Sequence, residues 1–157
     1  MFTIAPDGTE TQVLEVDTQP SGLGWLPDGR LLVVSMKDQR VLRQETDGTL
    51  VTHADLSGLI TGMANDMVVD DNGRAWVGGF GFDLMGGETP VASPLIRVDP
   101  DGTLSVAAAE LMFPNGSVIT PDGSTLIVGE TMGCRYSAFT IQPDGTRLVV
   151  GRAKSED

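Results

Sequence analysis

A chain that returns to one strand–turn–strand phrase at a fixed spacing can bury its apolar residues only by stacking copies of a single unit. This chain carries that phrase three times: Ser21-Gly-Leu-Gly-Trp-Leu-Pro-Asp-Gly-Arg-Leu-Leu-Val-Val34, then Asn65-Asp-Met-Val-Val-Asp-Asp-Asn-Gly-Arg-Ala-Trp-Val-Gly78, then Phe113-Pro-Asn-Gly-Ser-Val-Ile-Thr-Pro-Asp-Gly-Ser-Thr-Leu-Ile-Val-Gly-Glu130. The turn glycines Gly29, Gly73 and Gly123 fall 44 and 50 residues apart, and a four-stranded propeller blade takes about 40–50 residues. Eight residues before each glycine stand Ser21, Asn65 and Asn115. Each opens an apolar strand, so the three polar residues are expected to converge where those strands meet.

Asp-Gly and Asn-Gly between alternating runs are strong hairpin signals. Two short strands are expected around Pro6-Asp-Gly8, at 1–5 and 9–16. The first full unit then reads as strands at 22–26, 31–35, 40–45 and 50–54, with a second turn at Asp47-Gly48. The second unit gives 67–69, 75–77, 95–98 and 104–107, turning at Asp101-Gly102; the third gives 118–119, 126–128, 137–141 and 147–150, turning at Asp144-Gly145. No apolar i, i+3, i+4, i+7 run reaches helical length. The expected fold is therefore all-β, a β-propeller divided into a half blade at 1–19 and blades at 20–57, 58–110 and 111–157. Three and a half blades fall short of the roughly four to eight that close a ring. The expectation is thus a fragment cut at both ends, with two apolar faces open to self-association.

At 157 residues and 40% hydrophobic content, one domain is expected. A formal charge of −12 argues against nucleic acid and anionic membranes as partners, since both require a basic surface. No apolar run approaches the ~20 residues of a membrane span, and Cys134, the single cysteine, leaves no pair for an internal disulfide. These features point to the cytoplasm.

The middle unit carries an insertion, a Gly-rich stretch from Gly78 to Pro94 in which Phe80, Phe82, Leu84 and Met85 look exposed. It reads either as a long surface connection or as a lip over a central site. Trp25 and Trp76 are expected to pack between blades, and Glu130 to be structural. His53 reads as a surface residue beside Asp55, and Cys134 as a packed or loop thiol. The side chain of Asp66 is expected to point away from Asn65, as successive residues of a strand do, leaving it a supporting role. The Asp-Gly pairs lack the spacing of calcium-binding loops and read as turns.

Taken together, Pro20-Ser-Gly-Leu-Gly-Trp-Leu-Pro-Asp-Gly29, Asn65-Asp-Met-Val-Val-Asp70, Gly79-Phe-Gly-Phe-Asp83, Phe113-Pro-Asn-Gly116 and Gly129-Glu-Thr131 resemble the senescence-marker-protein/gluconolactonase/luciferin-regenerating-enzyme family. The resemblance implies a six-bladed propeller about twice this length, with a divalent cation in its central channel, calcium before zinc or another metal. It implies hydrolysis of a small lactone, with a lactone or sugar acid as the small-molecule substrate. Carried over by motif, Asn115 is a metal ligand, and Asn65 lies near both metal and substrate. The carboxylate ligands and the general base implied by the resemblance find no counterpart here, and the catalytic residue is expected to lie outside this chain. Many relatives carry an arginine two residues before the Asn-Asp asparagine; here that residue is Met63, which weakens the case for a sugar lactone. Two neutral amides cannot offset a dication as carboxylates do, so weak calcium affinity is expected of this chain by itself. The competing readings are a propeller that binds a small ligand without turning it over, and a half-propeller that completes its ring by oligomerising.

Overall fold

The computed structural model describes residues 1–144 and 147–154. Among them, fourteen strands form four antiparallel sheets, each a meander in chain order. A two-stranded sheet pairs β1 (Phe2–Ile4) with β2 (Glu10–Gln12). The first four-stranded sheet holds β3 (Pro20–Trp25), β4 (Leu31–Ser35), β5 (Arg40–Gln44) and β6 (Leu50–Asp55). The second holds β7 (Met63–Val69), β8 (Ala75–Phe80), β9 (Ser93–Val98) and β10 (Leu104–Leu111). The third holds β11 (Pro114–Ile119), β12 (Thr125–Glu130), β13 (Arg135–Ile141) and β14 (Arg147–Lys154). This all-β stack of sheets is a partial propeller. One short 3-10 turn, Thr131–Gly133, interrupts the β pattern.

The hairpin turns at Gly8, Gly29, Gly48, Gly73 and Gly102 have one residue more than an Asp-Gly I′ turn would, and the turn at Gly123 has two more. Gly29 N–H donates to Leu26 C=O and Leu26 N–H to Arg30 C=O, so Pro27-Asp28-Gly29 forms the whole loop. Only the glycine takes a left-handed φ, +85°, as in a type I turn closed by a glycine bulge. Asp28 Oδ1 accepts the Arg30 N–H, and Asp47, Asp101 and Asp122 repeat that bond two residues on. The aspartate thus fixes the turn with its side chain while the glycine supplies the φ. The glycine of the expected turn at Asp144-Gly145 lies outside the described residues.

Period-2 alternation assigns the core. On β8, Ala75 and Val77 join Leu32, Val34, Leu56 and Ile60 in the cluster between the first and second sheets. Trp76, between them in sequence, points the other way, packing with Leu111, Leu126, Val128 and Phe139 between the second and third sheets. The middle sheet is therefore covered on both faces. The outer two are not: Leu23 and Trp25 of β3 and Val118 and Tyr136 of the third sheet are exposed. Trp76 meets the expectation of packing between blades and Trp25 does not. It is 61% exposed and lines a groove of about 400 Å³ with Phe2 of the short β1–β2 pair, Val13 and Leu23. Alternating with Leu23 and Trp25, Gly22 and Gly24 face inward, where a Cβ would collide with the Asp66–Met67 backbone and with Val69 of β7, respectively. Those two glycines let β3 and β7 approach closely.

Candidate functional site

The inner strands β3, β7 and β11 stand side by side, and each is irregular at the same repeat position. On β7 the pairing runs Ala64↔Gly79 and then Met67↔Val77, so three steps on β7 oppose two on β8. The same extra residue falls between Pro20 and Leu23 on β3 and between Pro114 and Ser117 on β11. These one-residue bulges enclose Ser21, Asn65 and Asn115. A bulge bends the strand and re-aims its side chains, so the polar residues sit inside the strands where the sequence pattern had placed them just before.

The three side chains meet. Ser21 Oγ donates to Asn65 Oδ1 at 3.1 Å, and Asn65 Nδ2 donates to Asn115 Oδ1 at 2.8 Å. Asn115 Nδ2 in turn donates to Thr131 Oγ1 at 3.4 Å. Thr131, in the sequence a member of the Gly129-Glu-Thr131 motif, joins the row because it directly follows β12, whose Glu130 pairs with Pro114. Asp66 does not point away from Asn65. Its Oδ2 accepts the Gly116 N–H at 3.1 Å, so Asn65 and Asp66 both reach β11. The alternation rule behind the opposite expectation fails at a bulge.

Beneath Asn115, Glu130 is a buried structural carboxylate. It accepts from Arg135 Nε and Nη2 at 2.8 and 2.7 Å, from Met112 N–H at 2.9 Å and from Ser137 Oγ at 2.5 Å. Burial would raise its pKa, but Arg135, Met112 and Ser137 together outweigh that and bring it down to about 2. Through Met112 it also braces the entry to β11, where Phe113 adopts a left-handed φ of +60°. That conformation is costly for a bulky residue, and more so before a proline. It is held by ring packing: Phe113 lies 4.6 Å from Phe80 and 6.3 Å from Phe82.

Phe80 and Phe82 are thus buried, together with Met36, Phe113 and half-buried Met63, and not exposed as the Gly-rich stretch suggested. Leu84 and Met85 of the same insertion are exposed. The insertion leaves β8 at Phe80, which pairs with Met63, so it rises from the end of the sheet that carries Asn65. His53 lies on β6, the outermost strand of its sheet, and is half-buried against Arg43. Burial and then the Arg43 charge hold its pKa below the usual histidine value. It is remote from the row. Cys134 is exposed and, with Thr131 and Tyr136, walls a cavity of about 350 Å³ beside Asn115.

The row offers two amide oxygens and two hydroxyls, donors of the class that hard cations take. Each Asn Oδ1 accepts one hydrogen bond in the row and has a second lone pair to give. Among the described residues no group of three or more His, Cys, Asp or Glu could hold a metal ion. The residues therefore fit one side of an oxygen cage and supply little of the charge.

Comparison with known proteins gives a family and a fold. The sequence model of the SMP-30/gluconolactonase/LRE-like region matches residues 1–154. A gluconolactonase from Xanthomonas campestris superposes with a TM-score of 0.76 at 26% identity, over 98% of this chain and 54% of that one. A calcium-binding protein, regucalcin, from Agrobacterium tumefaciens gives 0.69 at 25%, over 91% and 48%. A chain of a nidogen/laminin complex gives 0.71 at 18%, over 92% and 53%, a likeness of fold alone. The chain spans about half the length of these structures. No curated protein matches it by sequence.

Proposed function

The chain belongs to the SMP-30/gluconolactonase/LRE-like family, and on that premise we propose that it carries the cation end of a lactone hydrolase site in the channel of a propeller. The observation that carries this reading is the hydrogen-bonded row Ser21–Asn65–Asn115, built by one bulge repeated on three adjacent inner strands. Asn65 and Asn115 would hold the cation, calcium by the likeness to regucalcin. When bound, such an ion polarises an ester carbonyl and lowers the pKa of water.

The chain's own residues prepare that position. Ser21 and Thr131 anchor the two ends of the row, so each amide has a fixed orientation and presents Oδ1 in a defined direction. Met63, drawn into the aromatic cluster, offers no cation to a hydroxyl-rich substrate. This supports a small lactone recognised without a guanidinium at that position.

The test is lactone hydrolysis with and without EDTA, using gluconolactone and an unsubstituted alkyl lactone, on the protein and on Asn65→Ala and Asn115→Ala. Turnover should stop in EDTA. In either variant it should fall at least the about 10–100-fold that loss of even an outer-shell metal partner costs. Turnover indifferent to EDTA and to both substitutions would overturn the reading. A second reading, ligand binding without turnover, is favoured by one feature: the donors of the row are neutral amides and hydroxyls, none of which titrates near neutrality. Saturable calcium binding with no hydrolysis of either lactone would select it.

A further inference from the structure

We propose that Asp66 is a positioning residue of this site: by holding the Gly116 N–H across the seam between β7 and β11, it sets where the Asn115 side chain stands. The inference rests on the assignment of Asn65 and Asn115 above, and four observations carry it.

Asn115 and Gly116 fall inside the β11 bulge, between the paired positions Pro114↔Glu130 and Ser117↔Val128, where the ladder to β12 is broken. The bulge takes the Gly116 N–H out of the regular ladder, and Asp66 Oδ2 accepts it at 3.1 Å. Gly116 is exposed and adopts φ +70°. It has no Cβ to restrict it, so the residue next to the ligand is the freest point of the strand. Consecutive residues of β7 also grip consecutive residues of β11: Asn65 takes the Asn115 side chain and Asp66 the Gly116 backbone. The bonds to Asn65 and Thr131 orient the Asn115 amide, and the Asp66 bond ties down the backbone that carries it.

The repeat sharpens the point. The corresponding pairs are Ser21-Gly22, Asn65-Asp66 and Asn115-Gly116, and only the middle strand has a side chain at the second position. On β3 a Cβ there would strike the Asp66–Met67 backbone. The clamp can therefore run from β7 to β11 and not from β3 to β7.

The experiment uses the whole chain, labelled with 15N, without calcium and then with it. Without calcium, Asp66→Ala should speed hydrogen exchange of the Gly116 amide about tenfold, the ratio that one hydrogen bond of ordinary net strength supports. It should also shift the Asn115 side-chain NH2 resonances, leaving exchange in β4 and β8 unchanged. Asp66→Asn, which keeps an acceptor oxygen and loses the charge, should restore most of the protection. With calcium, affinity should fall about 10–100-fold in the alanine variant. Unchanged Gly116 exchange and Asn115 resonances in Asp66→Ala overturn the proposal. So does a uniform loss of protection across β7 and β11 that Asp66→Asn does not rescue, which marks a purely structural role. A wild-type chain whose resonances ignore calcium overturns the ligand assignment instead, while the calcium-free measurements still decide the role of Asp66.

Discussion

Replacing Glu130 with glutamine should cost about 3 kcal/mol of folding stability at pH 7, and the cost should shrink as the solution is acidified. The side chain of Glu130 is fully buried, whereas that of Arg135 is 25% exposed. The donors to the carboxylate include Met112 N–H, Ser137 Oγ and two nitrogens of the Arg135 guanidinium. These bring its pKa from 4.5 to about 2 against the opposing effect of burial. At about 1.4 kcal/mol per pH unit that gap corresponds to about 3 kcal/mol. A separate route agrees: breaking a buried ion pair costs about 3–5 kcal/mol, with the lower end apt here because Arg135 can turn partly to water. The native pKa lies below the unfolded one, so the contribution is complete above the unfolded value of 4.5 and is lost as pH falls from there toward about 2. Urea titrations of the protein and Glu130→Gln at pH 7, 4 and 3 measure this directly. The gap between the two should be widest at pH 7 and clearly narrower at pH 3. A gap that stays constant over that range, or is under about 1 kcal/mol at pH 7, would refute the claim that the ionised carboxylate is what holds the entry to β11.

Three further perturbations test the packing around the site. Phe80→Ala should destabilise by about 3–5 kcal/mol, because it removes the ring 4.6 Å from Phe113; a loss below about 1 kcal/mol in thermal or urea melts would mean the rings form no shared core. Gly22→Ala should destabilise by about 1–3 kcal/mol or more through collision with the Met67 backbone, and a neutral result would show that β3 and β7 are not so close. Trp76 is buried and Trp25 is 61% exposed. Trp25→Phe should therefore remove the red-shifted, iodide-quenchable part of the fluorescence and Trp76→Phe the blue part; the reverse assignment contradicts the sheet order.

The period of the turn glycines and the run of Asp-Gly pairs made the propeller legible in the sequence, because each strand pair is local and its turn is written in adjacent residues. Ser21, Asn65 and Asn115 were legible as a set for the same reason: they share one repeat position, and their side chains do meet. What was hidden depends on contacts between units. Phe80 and Phe82 looked exposed within a Gly-rich stretch, yet they are buried in a cluster with the distant Met36, Met63 and Phe113. Trp25 alternates with two glycines that must face β7, so it is turned to the other, exposed side. The direction of Asp66 was not legible because a bulge, invisible as a pattern, cancels the alternation of a regular strand. The strands themselves run longer than their apolar cores suggest. β7 begins at Met63 and β11 at Pro114, since the polar site residues are part of the ladder.

The measurement that bears most directly on the site is a calcium titration of the 15N-labelled chain, followed through its asparagine side-chain amides. The side-chain resonances of Asn65 and Asn115 should move together along one saturation curve, while those of Asn72, in the turn after β7, stay still. The midpoint should be on the order of 10⁻⁴–10⁻³ M, the weak end of calcium sites, where ligand charge is low. If Asn65 and Asn115 do not respond, or respond no more than Asn72, the row is a structural hydrogen-bond chain and not the cation end of a lactonase site.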